Sequence, residues 1–258
     1  MTRRVLVTRP DGTWPKLQAR FAGSGVVVQM SETTVQAEPI DPRPGDEAVG
    51  RLEAFDWLVV TSARGVAALR QRLAVRGLRG LPAELRVAAV GPATARALSE
   101  AGMRVELVAV EANSDGLVAA FGPRLTAGTR VVVVRPEGAP GVLPSALRAA
   151  GAIVDEASLY RTIASPAAPA LADAAIAGAF AAVVFTAPSS VDLWLAAAGS
   201  RREALVSVLQ RVARVAIGPT TSARLRSLGL PARVVADAPS EDAVGDAIAK
   251  VLGIDLLR

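Results

Sequence analysis

The sequence predicts an α/β protein built from doubly wound parallel sheets. Short valine-rich segments alternate with amphipathic helical segments along the whole chain. The valine-rich segments lack the period-two alternation of half-exposed strands, which is typical of parallel strands buried on both faces. Strand–helix–strand alternation of this kind favours right-handed crossovers in a layered α/β fold.

Ten segments are predicted as strands, and helices fill the intervals between them. In chain order the strands cover residues 5–8, 26–29, 57–60, 87–90, 105–108, 131–134, 153–156, 182–185, 212–217 and 233–235. Three of the helices are predicted to end at Gly102, Gly151 and Gly229, because glycine readily adopts the left-handed conformation that closes a helix.

Four landmarks occur twice, in the same order. Arg4-Val-Leu-Val-Thr-Arg-Pro-Asp-Gly12 returns as Arg130-Val-Val-Val-Val-Arg-Pro-Glu-Gly138, an offset of 130 − 4 = 126. The other pairs, at offsets of 125, 127 and 126, are residues 59–61 with 184–186, 89–94 with 216–221, and 114–115 with 240–241. Solenoid repeats have periods of about 20–50 residues, so a period this long indicates a duplicated domain.

The residues leave two domain boundaries open. One is a simple division at 122–128, between the two copies. The other uses the polar, threonine-containing segments 31–39 and 158–165, which occupy matching places in the copies. If both are crossovers, residues 1–34 and 166–258 form one discontinuous domain, residues 40–157 form the second, and 35–39 and 158–165 connect them.

Composition excludes several classes of chemistry. The chain has no Cys and no His, which excludes disulfides, thiolate catalysis, Cys/His zinc sites and histidine acid–base catalysis. The net charge of +5 comes from arginines scattered along the chain; only Lys16 and Lys250 are lysines. A nucleic-acid surface would combine clustered basic residues with aromatic ones. A basic cleft for a small polyanion and a merely Arg-rich surface both stay open.

The absence of several sequence motifs excludes further classes of function. No phosphate-binding G-x-x-x-x-G-K-[ST] loop, dinucleotide G-x-G-x-x-G turn or G-x-S-x-G elbow occurs. The chain shows no secretory signal, and the uncharged segment 174–191 is interpreted as a helix end, a turn and a buried strand. We therefore expect a soluble, cytoplasmic protein that binds neither membrane nor nucleic acid.

Hydroxyl groups, glycines and arginines follow the predicted strands. Ligands of α/β sheets bind beyond the carboxyl ends of strands, where helix N-termini offer free N–H groups to anions. The candidate binding residues are Arg9, Thr61, Ser62, Gly91, Thr94, Arg135, Thr186, Ser189, Gly218, Thr220 and Thr221. The alternative for Ser62, Thr94, Ser189 and Thr221 is that each only caps its helix.

Three side chains each have two possible interpretations, one functional and one structural. Arg9 and Arg135 each precede Pro and an acid, so they could clamp a polycarboxylate or pair locally with Asp11 and Glu137. Tyr160 is the only tyrosine and lies in a candidate crossover. It could be a buried aromatic anchor or, in a chain without His and Cys, a proton donor.

The order of these motifs resembles the uroporphyrinogen-III synthase family over the whole chain. The motifs are Val-Thr-Arg-Pro near the start, then residues 56–62, 89–94, 159–162, 185–189 and 217–223. The resemblance implies two doubly wound, flavodoxin-like domains joined by a two-stranded β linker, which favours the discontinuous division. It assigns Tyr160 as the catalytic residue and implies a monomer without metal or cofactor. At the position before Pro188, where the family has a serine, this chain has Ala187.

The resemblance also implies the reaction. Such an enzyme closes hydroxymethylbilane, a linear tetrapyrrole with eight carboxylates, in the cleft between the domains, while inverting the last pyrrole ring and losing water. Positioning is expected to dominate such catalysis. The rival functions are a non-catalytic two-domain solute-binding protein for a polycarboxylate and a glycosyltransferase, for which no nucleotide-sugar motif or acidic metal pair is found.

Overall fold

The structure is a computed structural model that describes residues 2–9, 13–111 and 113–254. The strands are β1 (Arg3–Val7), β2 (Val26–Met30), β3 (Thr34–Ala37), β4 (Trp57–Val60), β5 (Arg86–Ala89), β6 (Leu107–Val108), β7 (Arg130–Pro136), β8 (Ile153–Ala164), β9 (Ala182–Phe185), β10 (Ala213–Ala216) and β11 (Val234–Val235). The helices are α1 (Arg43–Val49), α2 (Ala63–Val75), α3 (Pro92–Glu100), α4 (Ser114–Phe121), α5 (Val142–Ala149), α6 (Ala168–Ile176), α7 (Pro188–Ala197), α8 (Arg202–Arg211), α9 (Pro219–Ser227) and α10 (Glu241–Leu252).

The chain divides into two compact units. Unit 1 comprises Met1–Val35 and Ile163–Arg258, and unit 2 comprises Gln36–Thr162. Unit 1 has a sheet of order β11-β10-β9-β1-β2, and the strand order in unit 2 is β3-β8-β7-β4-β5-β6. All the strand pairs with a described register are parallel. The α/β fold class is confirmed.

Each sheet combines strands from both copies of the repeat. The first two strands of one copy, β1 and β2, lie beside β9, β10 and β11, the last three of the other copy. In unit 2, β7 and β8 of the second copy lie beside β4, β5 and β6 of the first. In both sheets the spatial order within the repeat is therefore second, first, third, fourth, fifth, which is the flavodoxin-like order.

Both faces of each sheet are covered by helices. In unit 2, Leu58 and Val60 of β4 pack on the side of α1, α2 and α3, whereas Trp57 and Val59 pack towards α4 and α5. Unit 1 has the same three layers, with α6 to α9 on one face and α10 on the other. Burial on two faces explains why these strands consist of consecutive apolar residues.

The predicted strands are confirmed, with one correction. Residues 153–156 and 158–165 were expected as a strand and a separate crossover, but they form the single twelve-residue strand β8. Pairing with β7 continues through a register shift, from Arg135 opposite Ser158 to Pro136 opposite Tyr160. The irregularity lets one strand continue past the point where the sequence becomes polar.

The glycine helix ends are confirmed as well, with positive φ angles of 76°, 95° and 70° at Gly102, Gly151 and Gly229.

Segment 174–191 is the end of α6, a turn, β9 and the start of α7, as expected. No helix within the described residues is long and apolar enough to cross a membrane.

Helix α1 packs closely against β8 through Gly45. A methyl group added there would lie 2.8 Å from a side-chain carbon of Leu159 and 2.9 Å from the Ser158 carbonyl oxygen. We therefore expect Gly45→Ala to destabilise the protein by about 1–2 kcal/mol, because overpacking against a backbone outweighs the gain in helix propensity. Urea unfolding measures this change.

Gly80→Ala is the matched control, since a methyl group at Gly80 would meet open space. Equal stability of the two variants would show that α1 shifts freely on β8.

Candidate active site

In unit 2, the candidate residues surround the point where the strand order reverses. Neighbouring strands β4 and β7 end there, at Val60 and Pro136, and a crevice at this point is the usual ligand site of doubly wound sheets. A cavity of about 410 Å³ lies at this end of the sheet. Its lining comprises Thr61, Ser62, Val90, Asn113, Ser114, Val133, Arg135, Pro136, Ala139, Pro140, Val142, Leu143, Pro144 and Tyr160.

A hydrogen bond joins the first and second copies of the repeat in this cavity. The Ser62 Oγ and the Tyr160 phenol oxygen lie 2.8 Å apart. Ser62 is also the N-cap of α2, where its Oγ accepts a hydrogen bond of 3.0 Å from the Gly65 N–H. The capping alternative is therefore observed for Ser62, and the same hydroxyl also bonds to Tyr160; its role in substrate binding stays a prediction.

Tyr160 is buried, with only 4% of its surface exposed. Burial raises the pKa of the phenol above its usual value, while the hydrogen bond with Ser62 and the charge of Arg64 oppose that shift. The phenol therefore stays protonated throughout the neutral range. A protonated, hydrogen-bonded phenol at a cavity wall can donate a proton or a hydrogen bond to a ligand.

Arg135 is held by the protein itself. Its guanidinium lies 2.6 Å from Glu156 on the neighbouring strand and also donates a hydrogen bond to the Ala139 carbonyl. The local partner weighed from the sequence, Glu137, instead accepts a hydrogen bond from the Ile40 N–H. Arg135 lines the cavity with its charge already balanced, which favours a role in shaping the wall over clamping a carboxylate.

The other predicted residues of unit 2 begin helix α3. Gly91 is its N-cap, so Thr94 lies in the first turn and does not cap the helix. The Ala95 N–H makes the first bond within the helix, to the Gly91 carbonyl, which leaves the N–H groups of Ala93 and Thr94 ahead of it. Gly91 and Thr94 do not line the cavity; Val90, which precedes them, does.

In unit 1, the equivalent reversal lies between β1 and β9. Thr8 and Thr186 follow these strands, and the Thr186 hydroxyl donates to the Thr8 carbonyl at 2.6 Å. The Thr8 hydroxyl lies 3.3 Å from that of Thr186 and 3.2 Å from the Ser190 hydroxyl. Ser189, the predicted residue, is the second residue of α7, while its neighbour Ser190 supplies the buried hydroxyl at 1% exposure.

Helix α9 begins with the second Gly-Pro turn. Gly218 is the N-cap, and a methyl group added at Gly218 would meet open space. Thr220 is exposed and Thr221 is buried at 2% exposure. The capping alternative is therefore wrong for Thr221, as for Thr94, because the cap is a glycine. The N–H groups of Thr220 and Thr221 precede the first intrahelical bond, from Ser222 to Gly218.

Arg9 lies at the end of β1. Its guanidinium stacks 4.4 Å from the Trp14 ring centroid and donates a hydrogen bond to Thr13. Asp11, its weighed partner, lies outside the described residues.

Four residues of these sites were missed from the sequence: Thr8, Ser190, Asn113 and Ser114. Asn113 caps α4 by accepting a hydrogen bond from the Gly116 N–H at 2.7 Å. Its position directly before a short apolar helix is a capping signal that could have found it. The pair 114–115 was recognised only as a repeat landmark.

Fold and site together define a class: a two-unit parallel α/β protein whose candidate site is built from hydroxyls, a phenol and helix N-termini. Within the described residues, no group of His, Cys, Asp and Glu could hold a metal ion. The uroporphyrinogen-III synthase HemD family model matches residues 4–245.

Two relatives agree with this match. A Methanothermobacter thermautotrophicus protein provisionally assigned as a uroporphyrinogen-III synthase is 35% identical, over 88% of this chain and 90% of its own. The uroporphyrinogen-III synthase of Synechococcus elongatus is 32% identical, over 62% of this chain and 61% of its own. The chain belongs to the uroporphyrinogen-III synthase family.

Solved structures support the fold. A mutant uroporphyrinogen III synthase from Thermus thermophilus has a TM-score of 0.71 at 22% identity, covering 98% of this chain and 99% of that one. The Helicobacter pylori uroporphyrinogen-III synthetase has a TM-score of 0.60 at 18% identity, covering 97% and 100%. The family resemblance seen in the sequence is confirmed, as is the class of enzyme, a lyase acting on a tetrapyrrole. Nothing supports the solute-binding alternative.

The single tyrosine allows a direct titration. We expect the midpoint of the phenolate absorbance in the native protein to lie above pH 10, because burial raises the pKa of Tyr160. Ser62→Ala should raise that pKa further, since the bond that favours the phenolate is lost. The native state binds this proton more tightly than the unfolded chain does. Its contribution to stability is therefore full below pH 10 and is lost as the pH rises through the native pKa.

Ser240→Ala is the matched control. Ser240 caps α10 by accepting a hydrogen bond from the Ala243 N–H, as Ser62 caps α2, but it belongs to unit 1, whereas Ser62 and Tyr160 belong to unit 2. Both variants should lose about 0.5–2 kcal/mol of stability. A Tyr160 titration that is the same in both would show that the Ser62 bond does not act on the phenol.

Proposed function

We propose that this protein converts hydroxymethylbilane to uroporphyrinogen III, with Tyr160 assisting departure of the terminal hydroxyl. The family membership supports the reaction. The observation that carries the role of Tyr160 is its buried, protonated phenol, hydrogen-bonded to Ser62 in a cavity at the reversal point of the sheet.

The chemistry divides into two tasks. The hydroxyl must leave as water to give an azafulvene, and the substituted carbon of the last ring must then attack it, forming a spiro intermediate that fragments and recloses. A neutral phenol suits the first task, because it can give its proton to the leaving oxygen, which then departs as water, and can regain the proton that the last ring loses on reclosure. The second task needs the chain held in a coiled pose.

We propose that the helix N-termini hold the substrate's carboxylates. In unit 2 these are the starts of α2 and α3, near Ser62 and Gly91, and in unit 1 the starts of α7 and α9, near Ser189 and Gly218. Each offers backbone N–H groups and the positive end of a helix dipole. Thr61, Thr186 and Thr220 add hydroxyls at the same strand and helix ends.

Several expectations stay predictions. They are that residues 1–34 with 166–258 and 40–157 act as two domains linked by 35–39 and 158–165, and that the reaction takes place between these domains. We also keep the expectations of a cytoplasmic monomer that uses no cofactor and binds no nucleic acid or membrane. Gel filtration checks the expectation of a monomer, and activity in metal-free buffer checks the expectation that no metal cofactor is used.

The direct test of the function is incubation with hydroxymethylbilane and separation of the product isomers. Without help the substrate closes to the symmetric type I ring, because the free carbon of the last ring is the less hindered nucleophile. The proposal predicts the type III isomer. If only type I forms in the presence of the folded protein, the proposed function is wrong.

Removal of the phenol hydroxyl tests the role of Tyr160. We expect Tyr160→Phe to lower kcat by roughly 10²-fold, at the low end for general acid catalysis because this hydroxyl departs easily, with little change in KM. Steady-state kinetics measure both constants. A folded variant with unchanged kcat would make Tyr160 a packing residue.

A methyl group at Gly218 tests anion binding at α9. The backbone there has φ of −175°, which any residue adopts, and the added methyl would meet open space. Gly218→Ala should therefore change the urea midpoint only slightly, because the cost of alanine at an N-cap is offset in part by its lower entropy in the unfolded chain. A methyl that covers the N–H groups should lower kcat/KM by roughly 10–100-fold and release some type I product. A fully active, type III-specific variant would remove this helix from the binding site.

A further inference from the structure

A second cavity lies at the opposite end of the unit 2 sheet. It has a volume of about 630 Å³ and opens beside the start of β5, whereas the candidate active site lies beyond the strands' carboxyl ends. The two cavities share no lining residue. The established family activity assigns no role to this second cavity.

Three arginines from three separate segments line it on the side of its floor. Arg70 lies on α2, Arg79 in the loop that follows, and Arg104 after α3; Arg86, at the start of β5, also belongs to the lining. The described lining contains one acidic residue, Glu106, so with these three arginines the wall carries a formal charge of +2.

The protein does not neutralise these arginines. Among the described residues, no ion pair joins any of the four to a carboxylate. Arg86 stacks 4.4 Å from the Trp57 ring centroid, on the side of the sheet that faces α4 and α5, so its charge is not directed at the cavity floor. By contrast Arg135, at the other end of the sheet, is paired with Glu156.

The floor of the cavity is apolar. It consists of Leu73, Leu85, Val87 and Met103, which are 4%, 6%, 2% and 9% exposed and belong to the core of unit 2. A bare inorganic anion would use the arginines and leave Leu78, an apolar lining residue that is 43% exposed, in contact with water. The combination fits a molecule with an apolar ring body and several acid groups at its edge.

We propose that this cavity is a second binding site, for an organic polyanion with an apolar body. A ligand there contacts the C-terminal part of α2 and the segment after α3, helices whose N-termini lie at the other end of the sheet. The proposal does not depend on the proposed reaction, because it uses none of the active-site residues.

Pyrenetetrasulfonate is a suitable probe, since it is a flat apolar ring system that carries four sulfonates. The chain has three methionines, at positions 1, 30 and 103, so isotope-labelled methionine methyl groups give three NMR signals. Met103 lines the cavity, while Met30 belongs to β2 of unit 1. We expect a saturable shift of the Met103 signal and none of Met30.

The double variant Arg70→Ala/Arg104→Ala should bind the probe at least tens-fold more weakly, because each lost charged contact weakens binding by roughly tenfold. Arg124→Ala/Arg226→Ala is the matched control, because it removes the same charge at exposed positions outside the cavity. Tyr160→Phe should leave the affinity at Met103 unchanged. The affinity of this variant therefore distinguishes failure of the second binding site from failure of the proposed function.

Three results would overturn the proposal. One is an unshifted Met103 signal at saturating probe, including the case in which only Met30 responds. Another is equal affinity in the Arg70→Ala/Arg104→Ala variant and its control, which would show that the arginines form an ordinary charged surface. Displacement of the probe by inorganic sulfate at equal anion concentration would also contradict it, because the apolar floor would then contribute nothing.

Discussion

The candidate active site depends on the parallel pairing of β4 with β7. Trp57–Val60 pairs with Val131–Val134, and these eight residues are buried. The two strands come from different copies of the repeat. Their alignment brings Ser62, which follows β4, to Tyr160, which lies on the strand beyond β7. Without this pairing neither the cavity nor its central hydrogen bond could form.

Duplication produced two similar reversal points, but their chemistry differs. The hydroxyl of Thr61 donates to the Val134 carbonyl, as the hydroxyl of Thr186 donates to the Thr8 carbonyl in unit 1. At an offset of 125, however, Ser62 corresponds to Ala187, and Ser190 provides the buried hydroxyl instead. The hydrogen-bonded phenol belongs to unit 2, so the two units contribute different groups to the proposed reaction.

The sequence predicted the strands well because burial on two faces requires uninterrupted apolar residues. It predicted a linker strand at 158–165 but not its continuity with the strand at 153–156, since that depends on the pairing with β7. The residue pattern left the exchange of strands between copies as one of two alternatives, because each copy has the same order of elements whichever partner it pairs with.

The sequence predicted where candidate site residues lie along the chain, but not which residues they contact. Strand ends and Gly-Pro turns identified Ser62, Gly91 and Gly218, because these positions follow from the order of elements. The partner of Arg135 could not be found, since Glu156 is adjacent only across the sheet. The bond between Ser62 and Tyr160 likewise joins residues 98 positions apart.

The most direct test of this account is the folding of separate fragments. Exchange of strands predicts that neither residues 1–128 nor 129–258 unfold cooperatively alone, because each half lacks strands of both sheets. Refolded together they should regain a cooperative urea transition, and residues 36–162, the whole of unit 2, should show one alone. Cooperative unfolding of either isolated half would contradict the account, since a complete sheet would then form within one copy.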